Sequence, residues 1–266
     1  MNRFALLAAL ALAIGTGGCA GVPSASPTAA ESGGPSASAS ASASLEPPLH
    51  NPAAVVEGEP YQPAIDPADF VAVIDNPYFP LIPGTTHVFE GAGEHVEVTV
   101  TTDTKVIMGV TCVVIHDQVL VDGEVAEDTY DWYAQDRWGN VWYFGEDTAE
   151  YEHGVVTTTA GSFEAGVNGA QPGILMLGAP QVGDYYWEEF YAGEAEDQAR
   201  VTSLAEMGIE VPYGRYDQVL MTENTTPLEP GLIERKWYAS GIGVIAEELL
   251  GSGEGQLVLV EVRVSS

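Results

Sequence analysis

Basic residues are scarce in this chain: eight lysines and arginines stand against 39 aspartates and glutamates, which gives a formal net charge of −31. So large a negative charge repels the phosphates of nucleic acids and the headgroups of anionic lipids. We therefore expect no nucleic-acid partner. The acidity is compatible with a cation-binding site, but taken by itself it favours an acid-rich, solvated surface.

Cysteine is almost absent, and its two positions differ in their surroundings. Cys19 follows the small residues "GTGG" and stands where a bacterial lipoprotein carries its lipidated first residue. We expect Cys19 to be lipidated; the alternative is ordinary secretion with a chance cysteine. Cys112 lies among Val and Ile in "VTCVVIHD", which predicts a buried, unreactive thiol. With Cys19 lipidated, the mature domain contains no disulfide.

Long apolar runs are missing except near the N-terminus, where "FALLAALALAI" covers 11 residues. That run is too short to cross a bilayer and has the length of the apolar region of a secretory signal, here residues 1–18. The chain is therefore expected to leave the cytoplasm. A palmitate-type lipid anchor on Cys19 would then hold it at the outer face of the cell membrane.

Large apolar residues are also rare between the signal and residue 65, where Ser, Ala, Pro and Gly dominate. Such a segment cannot bury enough surface to offset its conformational entropy, so residues 19–64 are predicted to form a disordered tether. The folded domain is then predicted to span residues 65–266.

The domain sequence predicts an all-β fold with one short helix at its start. Asp66 suits the N-cap of that helix and Pro67 its first position. The rest alternates between apolar and polar residues in about a dozen short runs, with turn signals such as Asp122-Gly123 between them. No β–α alternation is seen, which favours a single antiparallel curved sheet, closed as a barrel or open as a half-barrel. Residues 161–184 are the exception and are predicted to form a long loop at one end.

The segment "EDTYDWYAQDRWGNVWYFGED", residues 127–147, is predicted to form a hairpin around Trp138-Gly139. In that register residue 136 pairs with 141 and Asp131 pairs with Glu146. Aromatic side chains then lie on both faces, so the second face needs a cover: a layer of the same protein, a partner or a ligand. The candidate binding residues are Tyr130, Trp132, Tyr133, Trp142, Tyr143 and, from a later strand, Trp187.

Two carboxylates placed opposite each other repel, and three arrangements of Asp131 and Glu146 relieve that repulsion. A calcium ion could bridge them, with Glu127 and Asp147 completing an oxygen shell. One of the two could stay protonated with a raised pKa, as a general acid does. Both could instead point outward into water near a base such as Arg137. The sequence leaves these alternatives open, and calcium is the only cofactor it suggests.

Motifs that name a reaction are absent from the sequence: it contains no G-x-S-x-G, H-E-x-x-H, P-loop or G-x-G-x-x-G pattern, and its histidines are scattered singly. This favours a binding or envelope protein over an enzyme. The main hypothesis is a tethered module that presents an aromatic-lined concave face to an apolar ligand or an envelope partner. The alternatives are a calcium-stabilised cell-surface protein and a secreted hydrolase that uses Asp131 and Glu146.

Five segments resemble a family of uncharacterised bacterial secreted proteins and lipoproteins with a single β-rich domain: "DNPYFPLIPGTTHVFEG", "DWYAQDRWGNVWYFGED", "GAQPGILML", "VPYGRYDQVLMTENTTPLEP" and "KWYASGIGVIAEE". His87 departs from the pattern, since an aromatic residue is expected there. The resemblance implies the fold class and an extracytoplasmic location. It implies no activity and no catalytic residue.

Overall fold

The computed structural model describes residues 51–253 and 255–265. The predicted signal, the lipidation site Cys19 and the first part of the tether lie outside the described residues. The described chain forms 18 strands: β1 (Phe70–Val71), β2 (Thr85–Gly91), β3 (Glu94–Ile107), β4 (Val110–Val121), β5 (Glu124–Asp136), β6 (Val141–Glu152), β7 (Val155–Thr158), β8 (Phe163–Glu164), β9 (Gln171–Met176), β10 (Tyr185–Trp187), β11 (Glu189–Phe190), β12 (Gln198–Glu206), β13 (Ile209–Val211), β14 (Gly214–Tyr216), β15 (Val219–Thr225), β16 (Glu234–Ala239), β17 (Gly243–Leu249) and β18 (Gln256–Val264).

Sixteen of these strands belong to one antiparallel sheet, and β13 and β14 form a separate hairpin. The main ladder runs in the order β10-β12-β15-β16-β17-β18-β2-β3-β4-β5-β6-β9-β11. Its two ends, β10 and β11, are consecutive parts of the same chain segment, separated only by Glu188. The ladder therefore curls round until its ends meet, and the predicted antiparallel barrel is confirmed. The strand count is higher than the predicted dozen.

The predicted N-terminal helix is reduced to one 3-10 turn, Pro67–Asp69. Asp66 caps it as expected, because its side chain accepts a hydrogen bond from the backbone N–H of Ala68 at 3.0 Å. The turn ends where Phe70 enters β1 and pairs with Asp136 of β5. None of the helical segments in the described residues is long and apolar enough to span a membrane.

The packed part of the chain begins earlier than residue 65. Ala53 is fully buried, and the N–H of Val55 donates to the carbonyl of Tyr185 at 3.1 Å. The hydroxyl of Tyr61 donates to the carbonyl of Pro172 at 2.8 Å. Extending the tether to residue 64 was therefore wrong for its last part, because a few apolar residues in a polar segment suffice to seat it against β10 and β9.

The segment predicted as a long loop, residues 161–184, contains β8 and β9, which both pair with β6. Pro172 and Gly173 made β9 look like a turn. The structure gives Gly173 a packing reason instead, because a Cβ there would lie 2.1 Å from the carbonyl oxygen of Glu188. The glycine lets β11 approach β9 closely, which is where the barrel closes.

Candidate functional site

The hairpin of β5 and β6 turns through residues 136–140, one residue away from the predicted position. The N–H of Asp136 donates to the carbonyl of Asn140 at 2.9 Å, and Gln135 pairs with Val141. In this register Tyr133 pairs with Tyr143. A bulge beyond that pair adds one residue to β6, so Asp131 still pairs with Glu146. Gly145 lies in this bulge, with φ 124°. The predicted carboxyl pair is confirmed, although two register errors cancel to give it.

In the predicted register Tyr143 pairs with residue 134 and lies on the face opposite Asp131, Tyr133 and Glu146. A one-residue slip moves side chains to the opposite side of a sheet. Tyr143 instead shares the inner face with these three residues. Trp142 lies on the outer face, where its ring packs 6.4 Å from that of Phe70. Phe70 of β1 therefore covers the second aromatic face, and the cover is a layer of the same protein.

The six predicted binding aromatics do not form one surface. Tyr133 and Tyr143 stack inside the barrel with ring centroids 4.7 Å apart. On the outside, Trp132 lies under the Lys105 ammonium at 3.2 Å. Tyr130 is 41% exposed and stacks on His116. Trp142 lies under Phe70, and Trp187 packs against Tyr61 and Phe190. The single concave aromatic face was therefore a wrong grouping of these side chains.

The predicted calcium shell is also wrong in its composition. Asp147 is exposed on the outer face, whereas its neighbour Glu146 is 2% exposed and points inward. Among the residues that the structure describes, no three His, Cys, Asp or Glu side chains lie close enough together to hold a metal ion. The outward, solvated arrangement is excluded too, because Asp131 is fully buried. Arg137 lies elsewhere and pairs with Asp69 at 3.1 Å.

Asp131 and Glu146 share one phenol. The Tyr143 hydroxyl lies 2.7 Å from Oδ1 of Asp131 and 3.0 Å from Oε2 of Glu146. A hydroxyl has one proton, so it can donate to one carboxylate only; a proton on the other carboxyl makes the second contact a hydrogen bond as well. Burial and mutual repulsion raise the pKa of Glu146 well above its ordinary value. Burial likewise raises the pKa of Asp131, while the hydrogen bond from Tyr143 opposes that rise.

This pair belongs to a larger set of buried carboxyl groups, which we call the interior cluster: Asp117, Glu127, Asp131, Glu146, Glu188, Glu189 and Glu247. Burial raises the pKa of each of them, to about 7 for Glu127 and Glu188. Among the basic residues of the described chain, only Lys236 is buried with them, and it lies 3.2 Å from Glu234 and 4.0 Å from Glu247. The barrel interior therefore holds many more acids than cations.

Several polar atoms of this interior have no hydrogen-bond partner within the described part of the chain. They include both carboxyl oxygens of Asp117, both of Glu189, Oδ2 of Asp131 and the hydroxyls of Tyr133 and Tyr186. Buried polar groups are normally paired with protein or water, so these atoms have unused capacity for hydrogen bonds with bound water or with a guest. Little in the sequence indicates the cluster, since Asp117 and Lys236 are isolated charges within strands.

One end of the barrel contains an apolar pocket that is partly open to solvent. It is lined by residues 79–81, by Ile242 and the start of β17 (residues 243–244), and by side chains of β2, β3 and β4: His87, Phe89, Val98, Val100 and Ile115. His87 is the one polar side chain in this lining. Burial lowers the pKa of His87, and its hydrogen bond to the backbone of Ile242 acts in the opposite direction.

The strand register places the pocket lining next to the interior cluster. Side chains of directly paired residues lie next to each other on one face of a sheet. Val98 of the pocket pairs with Asp117, and Ile115 of the pocket pairs with Asp131. The ring of Phe79 lies 5.6 Å from that of Tyr133. The pocket lining therefore lies next to Asp117, Asp131 and Tyr133 of the barrel interior.

Comparisons with known proteins give no family for this chain: no family model and no curated protein matches it. Two solved structures are similar over 70% of this chain and 98% of their own. One, from Bacteroides fragilis, is described as a suspected exported protein with a YmcC-like fold and is 13% identical, with a TM-score of 0.41. The other, from Parabacteroides distasonis, is described as a suspected lipoprotein and is 11% identical, with a TM-score of 0.38. At TM-scores below 0.5, neither similarity carries an argument about this chain.

Proposed function

We propose that this is a lipid-anchored extracytoplasmic protein whose barrel binds a small, largely apolar ligand in the pocket at its end. The observation that carries the proposal is the pocket itself, an apolar cavity with a single polar side chain, His87. Ligand sites of this kind are concave, mostly apolar and supplied with few polar groups. The N-terminal signal and Cys19 support the location.

The loops at the pocket mouth are held in place by the fold. The N–H of Gly241 donates to the carbonyl of Pro77 at 2.7 Å, which ties one loop to the other. Asn76 is buried and donates to the carbonyls of Gly139 and Leu177, at 2.8 and 3.0 Å. A pocket with fixed walls loses little conformational entropy when a ligand enters, so a small ligand suffices to bind.

The test is a pair of Val→Phe substitutions on the same strand. Val98 lines the pocket, whereas Val106 is 66% exposed on the outside. With 1-octanol as the probe, we expect Val98→Phe to abolish the rise in melting temperature that the wild-type chain shows, because the added ring fills the cavity. Val106→Phe should respond like wild type.

Equal responses of the two variants, or no response of the wild-type chain to 1-octanol, would remove the support for this function. The hydrolase hypothesis is not carried forward. Asp131 and Glu146 lie fully inside the barrel, away from any substrate that remains in solvent. The calcium hypothesis loses the shell on which it was built.

A further inference from the structure

Acids with unpartnered oxygens lie beside the pocket lining on the inner face of the sheet. Val98 of the lining pairs with Asp117, and Ile115 of the lining pairs with Asp131. Neither oxygen of Asp117 has a partner in the described residues, nor has Oδ2 of Asp131. The hydroxyl of the fully buried Tyr133, two residues from Asp131 on β5, is unpartnered in the described residues as well.

The charges around Asp117 are mostly negative. Asp117 experiences repulsion from Asp131 and Glu127, and Lys236 is the one cation whose charge acts in the opposite direction. Lys236 already forms ion pairs with Glu234 and Glu247. A guest that places positive charge beside Asp117 would therefore relieve both the repulsion and the missing hydrogen bonds.

We propose that the natural ligand class is a cationic amphiphile: an alkyl chain in the apolar pocket with a protonated amine head beside Asp117, Asp131 and Tyr133. This proposal rests on the proposed function and adds the chemistry of the head group. An ammonium head offers three N–H donors, which matches a set of groups made mainly of acceptors. A carboxylate head would instead add one more negative charge to the interior.

The experiment compares three probes that share one chain length and differ in the head group: n-octylamine, 1-octanol and octanoate. Binding to the full chain is measured by calorimetry at pH 7.5, below the concentrations at which the probes form micelles. We expect octylamine to bind at least tenfold more tightly than 1-octanol, and octanoate most weakly, because a hydrogen bond to a charged group is stronger than one between neutral groups.

The acidic surface also attracts amines, so two controls separate the surface from the pocket. Surface attraction is screened by salt, whereas binding inside the barrel is screened much less. The advantage of octylamine should therefore persist at 0.5 M NaCl. Asp117→Asn should remove that advantage and leave 1-octanol binding unchanged, while Asp147→Asn, which removes an exposed charge, should change neither. Asp131→Asn serves as the second interior variant if Asp117→Asn does not fold.

The outcomes distinguish the two proposals. Equal affinity for octylamine and 1-octanol would refute the proposal that the ligand carries an amine head, but not the proposal that the pocket binds an apolar ligand. Loss of the octylamine advantage at high salt, or its survival in the folded interior variant, also overturns the amine head. Absence of binding by all three probes overturns the proposed function together with the head group.

Discussion

The interior cluster predicts that the domain loses stability as the pH rises from 5 to 7.5. A carboxyl with a raised pKa in the folded state keeps its proton where the unfolded chain has already lost its own. Its contribution is fully present below the ordinary pKa, near 4, and is lost as the pH rises through the folded pKa. For Glu127 and Glu188 that folded pKa is about 7. The sign is opposite to that of a carboxylate paired with a cation.

The magnitude follows from the linkage relation. Each proton held only by the folded chain changes the free energy of unfolding by about 1.4 kcal/mol per pH unit. One such proton, retained across most of the range from pH 5 to 7.5, therefore corresponds to about 3 kcal/mol. The cluster contains seven raised carboxyls, so we treat about 3 kcal/mol as the smallest loss to be expected. Urea unfolding followed by Trp fluorescence at several pH values measures it.

Surface repulsion also weakens at low pH, so the assignment to the interior depends on a matched pair of variants. Glu146→Gln and Asp147→Asn each replace one carboxyl group by an amide at adjacent positions, the first inside the barrel and the second outside. In Glu146→Gln, Asp131 can ionise and accept the Tyr143 hydroxyl alone, so one retained proton disappears. The slope of stability against pH should fall by up to about 1.4 kcal/mol per unit in this variant only. An unchanged slope in Glu146→Gln, or an equal fall in Asp147→Asn, would refute the reasoning.

Three further predictions concern the remaining charged and sulphur-bearing groups. Cys19→Ala should abolish incorporation of an alkyne-tagged fatty acid and release the chain from the membrane fraction; continued labelling would contradict the anchor. The Cys112 thiol, whose pKa burial raises to about 12, should react with a disulfide reagent only after unfolding, and reaction in the native state would contradict its burial. Lys236→Met should cost about 3–5 kcal/mol in urea unfolding because it leaves buried carboxyls uncompensated. Lys105→Met removes a partly exposed ammonium that lies over the Trp132 ring and pairs with Glu164, and it should cost about 1 kcal/mol or less. Equal costs of the two variants would count against the interior role of Lys236.

The sequence predicted the features that depend on neighbouring residues. The alternation in β3 placed Val96, Val98 and Val100 on one face, and all three are buried. Asp122 and Gly123 have φ 54° and 82°, as a tight hairpin turn between β4 and β5 requires. The all-β barrel and the burial of Cys112 followed from the same local signals.

What the sequence could not predict depends on contacts between distant segments. The bulge at Gly145 brings Glu146 opposite Asp131, and Phe163 of β8 approaches closely there: a Cβ at Gly145 would lie 2.1 Å from the Phe163 carbonyl oxygen. The interior position of Glu188 likewise follows from ring closure between β10 and β11. Neither contact can be predicted from the residues that adjoin it in the sequence.

The two consequences of the acidic interior should respond to pH in opposite directions. As the pH rises from 5 to 7.5, carboxyls such as Glu127 and Asp131, whose pKa values burial raises to about 7, release protons, and the empty barrel becomes less stable. The same loss of protons gives an amine head more negative charge to bind, from Asp131 and Glu127, while the amine itself stays protonated up to about pH 10. Octylamine affinity should therefore be at least several-fold higher at pH 7.5 than at pH 5, whereas 1-octanol affinity should stay constant. A parallel change for both probes would mean that pH acts on the walls of the pocket and not on its inner acids.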